Sequence, residues 1–256
     1  MTTLAVIPAR YASQRFPGKP LADLCGRPLV YWAWKRACEC PAIDAAIVAT
    51  DDERIFNAVR KFGGEAAMTS ANCASGSDRI AEVVRDRPDV ELVVNIQGDE
   101  PDIDPAALRQ AVIALREHPN CHVATLKTAI RDEADFLSPH IVKVVCDEAG
   151  RALYFSRSPL PNRHRSRPEH PDDIWGYKHL GLYVYRRETL LEYTSWPPSL
   201  LEMMEKLEQL RFLEHGRCIT VVETFRDAIG VDTPEELERA RKALEARMEQ
   251  SSEFRV

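Results

Sequence analysis

Three cations stand close together near the start of the chain: Arg10, Arg15 and Lys19, in the run Pro8-Ala9-Arg10-Tyr11-Ala12-Ser13-Gln14-Arg15-Phe16-Pro17-Gly18-Lys19-Pro20-Leu21. They follow the apolar Leu4-Ala5-Val6-Ile7, so a buried strand feeds a polar turn that can set charged donors around one polyanion. Gly18 lets the backbone approach such a group closely. A nucleoside triphosphate suits this arrangement. The alternative is a solvated surface loop, and the position at the end of the first strand weighs against it. The run is not a Walker A loop, because Gly18-Lys19 is followed by Pro20 and no glycine stands five residues before Gly18. Nor is it a dinucleotide fingerprint.

Two aspartates are candidates for the opposite charge. Asp99 lies in Gln97-Gly98-Asp99-Glu100-Pro101 and Asp232 in Gly230-Val231-Asp232-Thr233-Pro234. A hard cation that bridges phosphates needs oxygen ligands, and Mg²⁺ usually takes only one or two protein carboxylates. Read alone, Asp99 equally suits a turn and Asp232 a helix N-cap. His179 and Tyr183, four apart on an expected strand, share one face and could serve a site or simple packing. Glu208 and Gln209 could reach a polyol from one helix edge.

Short β-branched runs alternate with helical patterns in the first part of the chain: strands over 4–9, 46–50 and 92–96, helices over 29–38 and 52–62. This is the βαβ rhythm of a parallel sheet covered by helices. In open α/β sheets ligands sit beyond the carboxyl ends of the strands, where loop 8–20, Thr50-Asp51-Asp52 and loop 97–101 fall. The second half changes character. Residues 141–146 and 152–156 flank Asp147-Glu148-Ala149-Gly150 as a hairpin, and 180–185 form another strand. Residues 159–173 read as an exposed loop whose basic stretch Arg163-His164-Arg165-Ser166-Arg167 is a solvated face. Residues 201–213 are helical by period, with Met203, Leu207 and Leu210 on one buried stripe. Gly216 closes that helix, 219–223 form a last strand, and Thr233 or Asp232 with Pro234 and Glu236 starts a C-terminal helix.

At 256 residues the chain can bury one large α/β core. Its net charge of −6 argues against general nucleic-acid binding, which needs a basic footprint. No apolar run approaches the ~18 residues of a membrane span. The seven cysteines are odd in number and lack CxxC spacing, so neither a disulfide framework nor a zinc site is expected, and reduced thiols in a cytoplasm fit best.

The N-terminal run resembles the signature of the sugar nucleotidyltransferases, most closely the 3-deoxy-D-manno-octulosonate (KDO) cytidylyltransferases, or CMP-KDO synthetases. Gln97-Gly98-Asp99-Glu100-Pro101, Ser75-Gly76-Ser77-Asp78-Arg79, Tyr154-Phe155-Ser156-Arg157, His179-Leu180-Gly181-Leu182-Tyr183-Val184-Tyr185-Arg186, Leu207-Glu208-Gln209-Leu210-Arg211 and Gly230-Val231-Asp232-Thr233-Pro234 extend the likeness, in family order, over almost the whole chain. Ser77 stands where the family more often has Thr, and residues 161–175 match little.

The resemblance implies a Rossmann-like nucleotidyltransferase fold, with a mostly parallel central sheet flanked by helices and a smaller β-rich dimerisation element. It implies a single domain over 1–256, divided into a nucleotide-binding half to about 140, a sugar-binding and dimerisation element over about 141–200, and a C-terminal return to the main sheet. The activity implied is Mg²⁺-dependent transfer of CMP from CTP to KDO for lipopolysaccharide biosynthesis, by a homodimer; the composition adds the expectation of a cytoplasmic protein with no nucleic-acid partner and no membrane span. Pro8, Ala9, Arg10, Arg15, Lys19, Ser75 and Arg79 would hold the nucleotide. Asp99 and Asp232 would bind the metal, and with Arg10 and Lys19 would form the catalytic set. Arg79, Gln97, Arg157, His179, Tyr183, Glu208 and Gln209 would line the sugar site. A cytidylyltransferase for 8-amino-KDO or a sialic acid, or a non-catalytic sensor on the same fold, are the alternative readings.

Overall fold

The computed structural model describes residues 2–12, 15–162, 174–227 and 230–253. The chain divides into two compact units, Met1–Arg109 with Ala228–Val256, and Gln110–Asp227.

The first unit begins with β1 (Thr2–Ala9), whose run of apolar side chains is buried almost throughout. A short antiparallel pair, β2 (Asp23–Leu24) and β3 (Arg27–Pro28), precedes α1 (Leu29–Glu39). Then come β4 (Ala45–Thr50), α2 (Glu53–Lys61), β5 (Glu65–Met68), α3 (Gly76–Arg85) and β6 (Val90–Asn95). Strand β1 pairs in parallel with β4 and β6, and β4 with β5. The order β6-β1-β4-β5 therefore puts the four carboxyl ends, and the loops that follow them, at one edge. Local chemistry sets the helix starts. The Asp52 carboxylate accepts from the N–H of Arg54 at the head of α2, and Ser75 forms a reciprocal capping box with Asp78 at the head of α3, which satisfies N–H groups that have no partner inside the helix.

Helix α4 (Pro105–Glu117) contains the point of division. The second unit continues with β7 (Val123–Ile130), α5 (Glu133–Leu137), β8 (Lys143–Cys146), β9 (Ala152–Ser156), β10 (Gly176–Arg186), α6 (Arg187–Tyr193), α7 (Leu200–Glu205), α8 (Gln209–Glu214) and β11 (Ile219–Glu223). Strand β7 runs parallel to β11 and antiparallel to β10, while β8 and β9 form the expected hairpin. The long α9 (Pro234–Glu253) belongs to the first unit. There Val231, Leu237, Ala240 and Leu244 share a core with Leu24, Leu29 and Trp32.

The single helix expected over 201–213 is two helices. Lys206 adopts a left-handed conformation, φ 57°, and ends α7. Glu202 stabilises the break: its carbonyl accepts from the N–H groups of Lys206 and Leu207, and its carboxylate takes a bidentate pair from Arg211 at 2.5 and 2.6 Å. Leu207 and Leu210 are buried as expected, whereas Met203, which precedes the break, is half exposed.

The cysteines also require correction, because Cys121 and Cys218 form a disulfide across 97 residues. Val123 and Ile219 are register partners on the parallel strands β7 and β11, so the residues just before them start side by side, their Cα atoms 4.6 Å apart. Spacing along the chain carries no sign of such a pairing. The other five cysteines are free. No described helix is long and apolar enough to cross a membrane. The basic stretch Arg163–Arg167 and most of the expected 159–173 loop lie outside the described residues.

Candidate active site

The loop after β1 closes on itself before it delivers Lys19. The N–H of Gly18 donates to the Tyr11 carbonyl at 2.9 Å, and Gly18 has φ 73°, a region that favours glycine. A side chain there would also meet the Tyr11 ring at 3.1 Å. Immediately after it, a 3₁₀ turn over Lys19–Leu21 aims the lysine inward. Its Nζ donates to Asp99 Oδ2 at 2.6 Å and to Asp232 Oδ1 at 3.0 Å. Arg15 completes the cluster from the outside, Nη2 to Asp232 Oδ2 at 2.9 Å.

Burial and backbone bonding hold both aspartates in place. Asp99 lies in the loop after β6, beyond Gly98, whose missing side chain leaves the Pro8 carbonyl room at 3.2 Å. Val231 is fully buried, and its N–H donates to the Asp99 carbonyl at 2.9 Å. The two carboxylates are therefore tied through neighbouring backbone. Asp232 does not cap α9. Thr233 does: its Oγ1 accepts from the Glu236 N–H at 3.3 Å, and Glu236 Oε2 accepts in return from the N–H groups of Asp232 and Thr233. The Asp232 carboxylate is left to its cations. Partial burial works to raise its pKa, and the hydrogen bonds and charges of Lys19 and Arg15 outweigh that and hold it below the usual range. For Lys19, burial works to lower the ammonium, and Asp99 with Asp232 raises it above its ordinary value.

A cleft of about 360 Å³ opens here, lined by Pro8, Ala9, Arg10, Lys19 and Ser75, with Gln97 and Asp99 on the same wall. Arg10 Nη2 donates to the carbonyls of Cys73 and Ser75 at 2.6 and 3.0 Å. Among the described residues no carboxylate pairs with it, so its charge remains available to an anion. The head of α3 lines the cleft through Gly76, and a helix N-terminus favours negative charge. Arg79 does not reach the lining. It is fully buried, held by Asp51 Oδ2 at 2.8 Å and by Thr69 Oγ1, and it ties α3 to the loops after β4 and β5.

One support had no assigned role in the sequence. The Arg54 guanidinium lies 3.3 Å from the centre of the Tyr11 ring and is gripped by Asp52 at 2.6 and 3.0 Å. The Tyr11 ring in turn covers Gly18. The Thr50-Asp51-Asp52 strand end was the available signal.

Asp99 and Asp232 could hold a metal. Both reach one ammonium, so their oxygens are close enough to share a cation, and two carboxylates are the usual protein share of a Mg²⁺ shell. Among the described residues no group of three or more His, Cys, Asp or Glu is placed to hold a metal ion.

The second unit carries the other candidates. In a regular strand His179 and Tyr183 would stand about 13 Å apart. In β10 the register with β7 slips: Leu180 faces Leu126 and Tyr183 faces Thr125, so Gly181 and Leu182 bulge out. The bulge draws the two rings to 5.5 Å between centroids. Phe155 meets the same imidazole edge-on at 4.9 Å, and burial pushes His179 down to about 3. Glu208 Oε2 accepts from the Tyr193 hydroxyl at 3.3 Å. Gln209 is buried, and its Nε2 has no partner among the described residues. Arg157 is partly committed to structure, with Nε to the Glu205 carbonyl at 3.2 Å and Nη1 to the Pro139 carbonyl at 3.1 Å.

The cytidylyltransferase family model matches residues 4–224. A 3-deoxy-manno-octulosonate cytidylyltransferase of Geobacter sulfurreducens is 50% identical over 250 residues, 95% of this chain and 100% of the relative. One of Geotalea daltonii is 51% identical over 253 residues, 96% and 100% of the two chains. A solved structure of CMP:2-keto-3-deoxy-manno-octonic acid synthetase complexed with CTP is 41% identical, with a TM-score of 0.88 over 97% of this chain and 100% of that one. The chain belongs to the 3-deoxy-manno-octulosonate cytidylyltransferase family.

Proposed function

We propose that the protein transfers CMP from CTP to KDO, with release of pyrophosphate, in the service of lipopolysaccharide synthesis. The observation that carries this reading is the meeting of Lys19 with Asp99 and Asp232 beside a cleft lined by Lys19, Asp99 and Arg10, a cation set for a triphosphate next to a carboxylate pair for a metal.

The anomeric hydroxyl of the sugar gives up its proton to solvent and attacks the α-phosphorus of CTP, and the bond from that phosphorus to the bridging oxygen of pyrophosphate breaks. Arg10 and Lys19 bind the triphosphate and neutralise the charge that grows on the leaving group, an effect whose strength comes from donors already in place. Asp99 and Asp232 would hold Mg²⁺, and the ion would supply a lowered pKa for the sugar hydroxyl and screening of phosphate charge. In the free enzyme the Lys19 ammonium keeps these two carboxylates together. Loop 8–20 closes through Tyr11 and Gly18, so the donors are positioned before substrate arrives. His179, Tyr183, Glu208 and Gln209, all of the second unit, read the sugar. The buried, unsatisfied amide of Gln209 supports its place in that set, since a buried donor without a partner is costly unless a ligand completes it.

The test is pyrophosphate release in the presence of Mg²⁺ with CTP against KDO, 8-amino-KDO and N-acetylneuraminate. The expected result is rapid turnover with KDO and much less with sialic acid. Equal turnover of sialic acid, or none of KDO, defeats the assignment.

We further propose a homodimer in the cytoplasm. Exposed Leu153, Leu200, Met203 and Met204 support association through the second unit, and sedimentation at micromolar concentration tests it. In a cytoplasm the Cys121–Cys218 pair would be held reduced, and thiol trapping in intact cells reports that directly.

A further inference from the structure

We infer that Thr125 is a positioning residue that fixes His179 as the Nε2–H tautomer, so that Nδ1 meets the substrate only as a hydrogen-bond acceptor and selects a hydroxyl donor. This rests on the reading of His179 as a sugar contact.

The assignment follows from counting one hydrogen. The Thr125 hydroxyl is fully buried and has three neighbours: the Leu182 carbonyl at 2.6 Å, the Leu180 carbonyl at 3.2 Å and His179 Nε2 at 3.0 Å. A hydroxyl has one proton to donate and lone pairs to accept with. Neither carbonyl can donate, and an oxygen pair at 2.6 Å requires the proton between them. The Thr125 proton is therefore spent on the Leu182 carbonyl, and the third contact exists only if His179 donates from Nε2. In a neutral imidazole the other nitrogen is then a bare lone pair. Nδ1 has no hydrogen-bond partner among the described residues, and His179 is buried against Phe155 and Tyr183.

The bulge in β10 explains why the threonine is there. Gly181 and Leu182 lie outside the ladder, and the Thr125 hydroxyl answers the carbonyls of Leu180 and Leu182 that the irregularity exposes. One side chain thus stabilises the bulge that brings His179 to Tyr183 and sets the tautomer of the ring. A lone pair at Nδ1 attracts a sugar hydroxyl and repels a carboxylate, so this histidine would read the polyol side of KDO and leave its acid group to cations.

The tautomer is measured on the full-length protein without substrate, by long-range ¹H–¹⁵N correlation of ¹⁵N-histidine-labelled protein. His179→Gln identifies the resonance among the seven histidines. Steady-state kinetics with CTP and KDO accompany it. The wild type should show the Nε2–H form. Thr125→Val, which keeps the shape and loses the acceptor, should give a mixed or switched tautomer and raise KM for KDO roughly 2- to 10-fold, the size of one neutral hydrogen bond, with KM for CTP unchanged. Thr125→Ser should restore both. An Nδ1–H wild type, or a tautomer indifferent to Thr125→Val, overturns the inference. A switched tautomer with an unmoved KM for KDO overturns the link to substrate. If KDO is not turned over at all, the KDO assignment fails separately, and the spectrum still decides the Thr125–His179 pairing. Should Thr125→Val fail to fold, the wild-type spectrum and Thr125→Ser decide the tautomer.

Discussion

Replacing Asp232 by Asn separates a metal ligand from a structural aspartate, because the two roles predict opposite balances of activity and stability. The substitution removes one negative charge and nearly preserves shape. The lost contacts are those to Lys19 at 3.0 Å and Arg15 at 2.9 Å. The Asp232 side chain is 43% exposed and that of Arg15 68%, so solvent screens that pair, which contributes about 0.2–1 kcal/mol, while Lys19, 13% exposed, keeps its bond to Asp99. For a chain of this size 1 kcal/mol moves Tm by roughly 2–4 °C. The melting temperature should therefore fall by no more than about that. Helix α9 keeps its start, since Thr233 and Glu236 form the cap. Turnover should fall by roughly 10²- to 10³-fold, as when one preorganised electrostatic group is lost, and the variant should need more Mg²⁺ for half-maximal rate. Thr233→Ala provides the reverse case: loss of the cap costs about 1 kcal/mol while turnover stays within a few-fold. Pyrophosphate release titrated with Mg²⁺, alongside thermal melts of both variants, reads both quantities. A fully active Asp232→Asn enzyme with an unchanged Mg²⁺ requirement would refute the two-aspartate site.

Lys19→Met should abolish most turnover and leave Asp99 and Asp232 facing each other without their bridge, so added Mg²⁺ should raise its Tm more than that of the wild type. Equal Mg²⁺ shifts in the two proteins would count against the shared site. Burial holds His179 down to about 3, against an ordinary 6.5, so the unfolded chain takes up a proton in that interval that the folded chain refuses. Stability linked to this residue is complete above pH 6.5 and drains away as pH falls toward 3; denaturant titrations should show that slope in the wild type and a shallower one in His179→Gln. Arg54→Ala removes the cation from the Tyr11 ring, an interaction of about 0.5–1 kcal/mol at an exposed site. KM for CTP should rise roughly 2- to 5-fold, and an unchanged value would mean that loop 8–20 holds its shape without Arg54.

Much of the site was legible because its signals are local. Strand β1 and its cationic loop lie within one short stretch, and apolar runs against polar turns mark where strands end. Residues 219–223 form the expected strand, and Pro234 opens the expected helix, because period and capping chemistry act over a few residues. The same range explains the failures. A helix over 201–213 satisfies the period, yet Glu202 and Arg211 fold back on each other and Lys206 turns the chain between them. Asp232 as cap or ligand could not be decided from Thr233-Pro234-Glu236, since either residue suits the pattern. Its choice of Lys19, 213 positions away, comes from the burial of Val231 and from a backbone bond to Asp99. Arg79 carries a family motif but is fully buried, held by Asp51 and Thr69. His179 and Tyr183 were rightly placed on one strand, but only the bulge opposite Thr125 brings their rings together. Sequence pattern determined which residues could carry charge and where strands would deliver them. Tertiary structure decided which charges meet, because ion pairs and strand register join groups far apart in the chain, and their geometry exists only once the intervening residues are buried.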